Sequence, residues 1–280
     1  MAAALLLALI LALSGAGNLD ALPSTDGTLT AQTIMLKVAA NQDRAEKLRN
    51  RYVYQQHIRV ATRRTNGKLA REETTDYLVA TPDGVKKELK HIDGRFWDKH
   101  RYVDFHGDPV PEADSLDGAI VESFRHDFVN AKSKDGFESD LFPLTTEEQK
   151  KYDFELLGEQ TVHGRRVYRI AFGPKDKKDI DWAGEALIDA QDFEPVRVFT
   201  RLSRRIPFAV RTLLGTDVPG LGFNVEYRKF YDGVWFPVSF GTEFRLRAVF
   251  FINRDITVSL ENSAFRHAAV ESTIGYKAPR

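Results

Sequence analysis

The chain contains no cysteine. That absence removes disulfide staples, thiolate metal sites, cysteine nucleophiles and a lipid-modified cysteine. It has no charge excess either: 40 basic side chains offset 40 acidic ones. No whole-molecule field therefore favours nucleic acid, and no nucleic-acid partner is expected. Catalytic fingerprints are missing too. There is no G-x-S-x-G elbow, P-loop, G-x-G-x-x-G or S-x-x-K. Ser239, in Val238-Ser239-Phe240-Gly241, lacks the strand–elbow–helix context of a nucleophile. The sequence predicts a protein that is not an enzyme and uses no cofactor. His91, His100, His106 and His126 share a region with Asp98, Asp104, Asp108 and Asp127. Their spacing matches no known ligand set, so scattered histidines rather than a metal site are expected.

Long apolar runs are scarce as well. The one at the start, Leu5 to Leu13, leads into Ser14, Gly15, Ala16 and Gly17. This is the h-region and small-residue cleavage site of a secretory signal peptide, with cleavage after Ala16 or Gly17. Residues 1–17 are thus read as a signal peptide and the mature protein as periplasmic. The usual basic n-region is missing, which fits a truncated start. An uncleaved anchor is the alternative, but the run is short against the roughly 20 residues that a span requires.

After a polar lead-in from Leu19 to Thr28, Ala31, Ile34, Met35, Val38, Ala45 and Leu48 recur near helical spacing and predict a helix over 30–50. Tyr52, Tyr54, Ile58 and Val60 then share one face of a strand that ends at Asn66-Gly67, the strongest short hairpin signal. A return strand is expected over 69–80 and a turn at Pro82-Asp83-Gly84. A third strand, 85–92, is expected to close at Asp93-Gly94. Residues 98–142 break the pattern, with a helix over 116–130 whose Ile120, Phe124 and Phe128 face inward. Thr145 and Glu148 have capping-box spacing. Strands resume over 152–160, 166–172, 184–188, 195–201, 223–231, 234–246 and 255–266. A single domain is expected over 22–280, with insertions near 98–145 and 201–222.

The alternation is longest from Val234 to Leu246. Val234, Phe236, Val238, Phe240, Phe244 and Leu246 occupy every second position, with Thr242 the one polar exception. Side chains alternate faces along a strand, so these positions predict one apolar face. Tyr168, Ile170 and Phe172 alternate on another strand, as do Phe223, Val225 and Tyr227. Together they suggest a curved sheet around an apolar interior, which is either a packed core or a ligand cavity. A second signal lies in 201–222, where Arg201, Arg204, Arg205 and Arg211 interleave with Ile206, Phe208, Val210, Leu213 and Leu214. Such a segment suits anionic headgroups or a membrane surface. Pairing of the arginines with nearby acids is the plainer reading.

The order of elements, with Gly164-Arg165-Arg166-Val167-Tyr168-Arg169-Ile170, Ala186-Leu187-Ile188-Asp189, Pro195-Val196-Arg197-Val198 and Asp232-Gly233-Val234-Trp235-Phe236-Pro237, resembles the periplasmic lipoprotein-carrier superfamily (LolA/LppX-like). Within it, the exported outer-membrane lipoprotein-sorting proteins are the most similar. The resemblance covers most of the mature chain. It implies a mainly β (α+β) fold: a strongly curved antiparallel sheet forming an unclosed half-barrel, with helices covering the concave face. It also implies acyl chains of a lipid or lipoprotein held on that face. The arginine-rich insertion and the chain's length depart from the family.

The expected function is therefore a non-catalytic lipid or lipoprotein carrier, monomeric, working with an envelope membrane or protein partner. Tyr168, Ile170, Phe172, Phe223, Val225, Tyr227, Phe236, Phe240 and Phe244 are its candidate cavity residues. Arg201, Arg204, Arg205 and Arg211 are its candidate headgroup contacts. The alternative is an envelope protein-interaction or sensor module on the same scaffold, with a filled core.

Overall fold

The computed structural model describes residues 29–80, 86–130, 142–178, 181–204, 216–218, 220–230, 232–248 and 252–268. The expected signal segment and the expected turn at Pro82-Asp83-Gly84 lie outside them, as do Arg205, Arg211 and the side chain of Phe128.

Helix α1 (Ala31–Arg49) begins at Thr30, whose hydroxyl accepts from the Thr33 amide at 3.2 Å. Lys47 and Arg49 in the last turn complement the helix dipole. The inward stripe is Ala31, Ile34, Met35, Val38, Ala39, Gln42, Ala45 and Arg49. Leu48, expected inside, is 40% exposed, and the polar Gln42 and Arg49 take the buried places. The reason is geometric: helical spacing from Ala45 reaches Arg49 at four residues, and Leu48 falls off the stripe.

Four strands follow: β1 (Tyr52–Arg64), β2 (Leu69–Ala80), β3 (Lys86–Asp98) and β4 (Arg101–His106). The β1–β2 turn is the Asn-Gly hairpin, with Gly67 at φ 78° and the Arg64 amide donating to Lys68 O at 2.9 Å. The third strand does not close at Asp93-Gly94. It runs on to Asp98 because Gly94 is a packing glycine: a Cβ there would lie 2.3 Å from Cζ of Phe105. Strand β4 was not anticipated in the 98–142 region.

Helix α2 (Leu116–Asn130) buries Ile120 and Val121 and brings Phe124 to 6.1 Å from Phe244. In the short helix α3 (Thr146–Gln149), the Thr145 hydroxyl accepts from the Glu148 amide, as the capping-box spacing predicts. Gln149 Nε2 then donates to Met35 O at 2.8 Å, tying α3 to α1.

The remaining strands are β5 (Tyr152–Val162), β6 (Arg165–Pro174), β7 (Trp182–Asp189), β8 (Pro195–Leu202), β9 (Thr216–Asp217), β10 (Gly222–Lys229), β11 (Trp235–Ala248) and β12 (Ile252–His267). All twelve belong to one antiparallel sheet, in the order β4-β3-β2-β1-β12-β11-β10-β8-β7-β6-β5, with β9 pairing β11 from off this path. Strands β1 and β12 join the two meanders through their long ladder. The sheet is an unclosed half-barrel: β4 and β5 end it without pairing each other. Its inner face carries the helices and one continuous apolar core.

The apolar run of β11 does not keep one phase. Val225 pairs Phe240 and Glu226 pairs Ser239, but Tyr227 pairs Pro237. One extra residue, Val238, bulges from β11 and shifts the alternation there. Phe240, Phe244 and Leu246 enter the main core. Val234 and Phe236 form a second cluster with Tyr52, against Phe230 and Phe265.

Candidate functional site

Of the nine candidate cavity residues, Tyr168, Ile170, Phe172, Val225, Phe240 and Phe244 are buried in the main core, each 8% exposed or less. Phe223 and Tyr227 are partly buried against it. Phe236 sits in the second cluster and is not part of that wall. The inner face is thus closely packed at most of these positions.

Helix α1 holds much of that packing in place. Ile34, Met35 and Val38 are each 0% exposed. Re-exposing three such side chains costs roughly 1.5–3 kcal/mol apiece. Polar contacts add to this at the other half of the helix. Asn41 Nδ2 donates to Asp192 O at 2.7 Å and to Phe193 O at 3.1 Å. Arg49 Nη1 donates to Trp235 O at 3.0 Å and Nη2 to Gln42 Oε1 at 3.2 Å, while Gln42 donates to Glu194. Burial pushes the Glu194 carboxyl up to about 7. Helix α1 is a plug fastened at both halves.

Space opens elsewhere, where the sheet wall is incomplete. The β10–β11 ladder ends at Asn224–Gly241, and β9 takes up β11 only at Arg247. Among the described residues, 242–246 of β11 pair β12 on one side and no strand on the other. At a rise of roughly 3.3 Å per strand residue this gap is about 16 Å long. A pocket of about 960 Å³ lies at it. Its lining comes from both faces of the sheet. Phe199, Arg201, Asn224 and Glu243 occupy outward positions, whereas Leu202, Phe223, Thr242 and Val258 occupy inward ones. Val218 and Leu221, both buried, come from the turn between β9 and β10.

Among the described residues, the pocket's cations are Arg201, Arg204 and Arg247, against the acid Glu243. Arg204 Nη1 donates to Lys178 O at 2.8 Å. Arg201 and Arg204 were singled out in the sequence for their charge, and Phe223 for its place on a strand. Arg247, Gly241 and Thr242 were not, because their role depends on where the ladder stops.

Thr242, the polar exception in the apolar run, is the one position whose sequence signal could have been followed. Its hydroxyl is buried and has no hydrogen-bond partner. An unmet buried polar group costs about 1–3 kcal/mol. Thr242→Val keeps the shape and removes the unmet group, so it is expected to stabilise the fold by about 1 kcal/mol. Denaturant unfolding measures this, and a less stable variant would show that the hydroxyl is satisfied in solution.

Two other polar groups on the sheet are set by their surroundings. Lys87 Nζ donates to Gln56 Oε1 at 3.0 Å, and burial lowers its amine to about 8. Asp93 shares hydrogen bonds with His91 and His106, the latter at 2.5 Å. The His106 bond is the main cause holding the Asp93 carboxyl below its ordinary value. Among the described residues, no group of three metal-ligating side chains is placed to hold an ion.

No protein-family profile and no curated protein matches the chain. Solved structures do resemble it. A DUF1329 family protein from Desulfovibrio piger is 15% identical, covers 88% of this chain and 96% of its own, and has a TM-score of 0.39. A LolA superfamily protein from Nitrosomonas europaea is 11% identical over 87% of this chain and 96% of its own, at 0.32. An outer membrane lipoprotein-sorting protein domain from Vibrio parahaemolyticus is 13% identical over 85% and 93%, at 0.35. At these values none of the three transfers a ligand or an activity to this chain; a LolA superfamily protein and a lipoprotein-sorting domain are among the structures it is similar to.

Proposed function

We propose that this protein is a non-catalytic carrier of the cell envelope that binds the acyl chain of a lipid or lipoprotein. One observation carries the reading: a pocket of about 960 Å³ that joins apolar inner-face side chains to a rim with three arginines. Its volume suits a small-molecule or lipid chain, since ligand sites span roughly 300–1,000 Å³. Binding needs only area, because each methylene removed from water contributes about 0.8 kcal/mol. No reacting group is required. The predicted signal segment supports a periplasmic setting, and the carrier is proposed to act there as a monomer.

The second reading, a protein-interaction module, is favoured by the close packing of Tyr168, Ile170, Phe172, Val225, Phe240 and Phe244. The pocket supports the carrier, since it leaves apolar space beside the packed inner face. Titration with a fluorescent fatty acid tests the choice. Saturable uptake at one chain per protein is expected. Absence of uptake at any concentration below the fatty acid's own aggregation limit would leave the interaction module as the better account.

A further inference from the structure

The helix side of a half-barrel is the obvious way in to its apolar face, and in this chain it is the side held shut. Ile34, Met35 and Val38 are fully buried there, and Asn41, Gln42 and Arg49 fasten the same helix to the β7–β8 turn and to Trp235. Among the described residues the sheet itself is interrupted instead. Between the end of the β10–β11 ladder and the β9–β11 pairing, one pocket is lined by outward Phe199 and Arg201 and by inward Leu202 and Phe223. Inward- and outward-facing side chains thus border one pocket at this interruption.

We infer that the acyl chain of an anionic lipid enters through this break in the sheet wall, from the outer face, and that its headgroup stays outside against Arg201, Arg204 and Arg247. The inference rests on the lipid-binding reading above and adds the route and the charge of the ligand. Charge complementarity supports the anion. Among the described residues three arginines face one glutamate at the pocket, and the side chains of Arg201 and Arg247 make no ion pair or hydrogen bond there. Phe199, 49% exposed beside them, gives the chain an apolar foothold on the outer surface. The unpartnered Thr242 hydroxyl marks the inner side of the break, where the ladder is interrupted.

Gly241 offers a direct test. It lines the pocket, and a Cβ built on it meets nothing within 4 Å. Gly241→Trp therefore sets a bulky ring at the outer mouth of the break, away from the helices and the inner core, and Gly241→Ala serves as its unobstructed control. Stopped-flow association of a fluorescent fatty acid is expected to slow at least tenfold in G241W and to stay near wild type in G241A. The fatty acid is expected to bind at least tenfold more tightly than its neutral methyl ester. The double variant Arg201→Ala with Arg247→Ala should erase that difference, and millimolar inorganic phosphate alone should not displace the chain.

Wild-type association in folded G241W, or equal affinity for acid and ester, overturns the route or the headgroup contact respectively while lipid binding stands. Displacement by inorganic phosphate alone assigns the arginines to a free anion and overturns the headgroup contact. No uptake by the wild-type protein removes the lipid-binding reading and this inference with it.

Discussion

Replacing Arg71 with alanine is expected to cost about 3–5 kcal/mol of stability, the range seen when one partner of a buried ion pair is removed. Arg71 is only 1% exposed, on the inner face of β2. Its Nη1 donates to Pro111 O at 3.0 Å and its Nη2 to Glu73 at 3.4 Å. Its guanidinium lies 5.7 Å from the Phe96 ring centre and 5.0 Å from that of Phe105. Glu73, equally enclosed, also meets Arg125 at 3.3 Å. Burial pushes the Glu73 carboxyl up even so, with both arginines pulling the other way. Losing Arg71 therefore strips a charge from an already costly site.

The double variant Arg71→Met with Glu73→Leu should recover most of the loss, because buried pairs replaced by apolar side chains are often neutral or better. Denaturant unfolding of the single and double variants measures both effects. A single-variant loss below about 1 kcal/mol, on the scale of an exposed pair, would mean that the cluster is solvated. A double variant weaker than the single one would mean that its geometry is worth more than its desolvation costs.

The second large effect is a fall in stability as pH rises from about 4.5 to about 7. Glu194 is 8% exposed at the end of the β7–β8 turn and accepts from Gln42. Burial is the main cause of its rise from the ordinary 4.5 to about 7. Asp192 raises it further, whereas the Gln42 hydrogen bond, Arg49 and Arg44 act to lower it. In the folded chain the group keeps its proton through this window, while the unfolded chain sheds it. The folded state then binds more protons, so stability drops with rising pH. The contribution is fully present below 4.5 and gone above about 7, on the order of 3 kcal/mol at about 1.4 kcal/mol per pH unit.

Glu147, Glu185 and Asp93, whose carboxyls are held low by their partners, act at more acid pH with the opposite sign. Glu194→Gln should flatten the slope between pH 4.5 and 7 without altering the region below it. Unfolding curves at a series of pH values decide this. An unchanged slope in the variant would place the titration elsewhere.

What could be read from the residues in advance was local. The Asn66-Gly67 turn, the Thr145–Glu148 cap and the 116–130 helix each depend on a few neighbouring side chains, and each formed where expected. Alternation was not followed along the 69–80 strand, although Tyr77 and Val79 share the inward face of β2 with Arg71 and Glu73. It could not show that the two charges would be buried, since that depends on Phe96, Phe105 and Arg125 arriving from distant segments. Gly94 misled for a similar reason: a glycine after aspartate suits a turn, but here it makes room for the ring of Phe105, its partner on the neighbouring strand.

The candidate site was half legible. Arg201, Arg204 and Phe223 carry their chemistry in their side chains. Gly241, Thr242 and Arg247 matter only because the β10–β11 ladder stops at Gly241, and no periodicity in a single strand records where its neighbour leaves. The bulge at Val238 is likewise a property of two paired strands. It is why Phe236, in phase with Phe240 by simple counting, packs in a different cluster.

The claim that acyl chains occupy this molecule is tested most directly by native mass spectrometry of the full chain purified without detergent. The account predicts a population heavier than the bare chain by the mass of one lipid, lost on extraction with organic solvent and depleted in G241W. Repeated recovery of the bare chain alone, before and after incubation with anionic lipid vesicles, would contradict it.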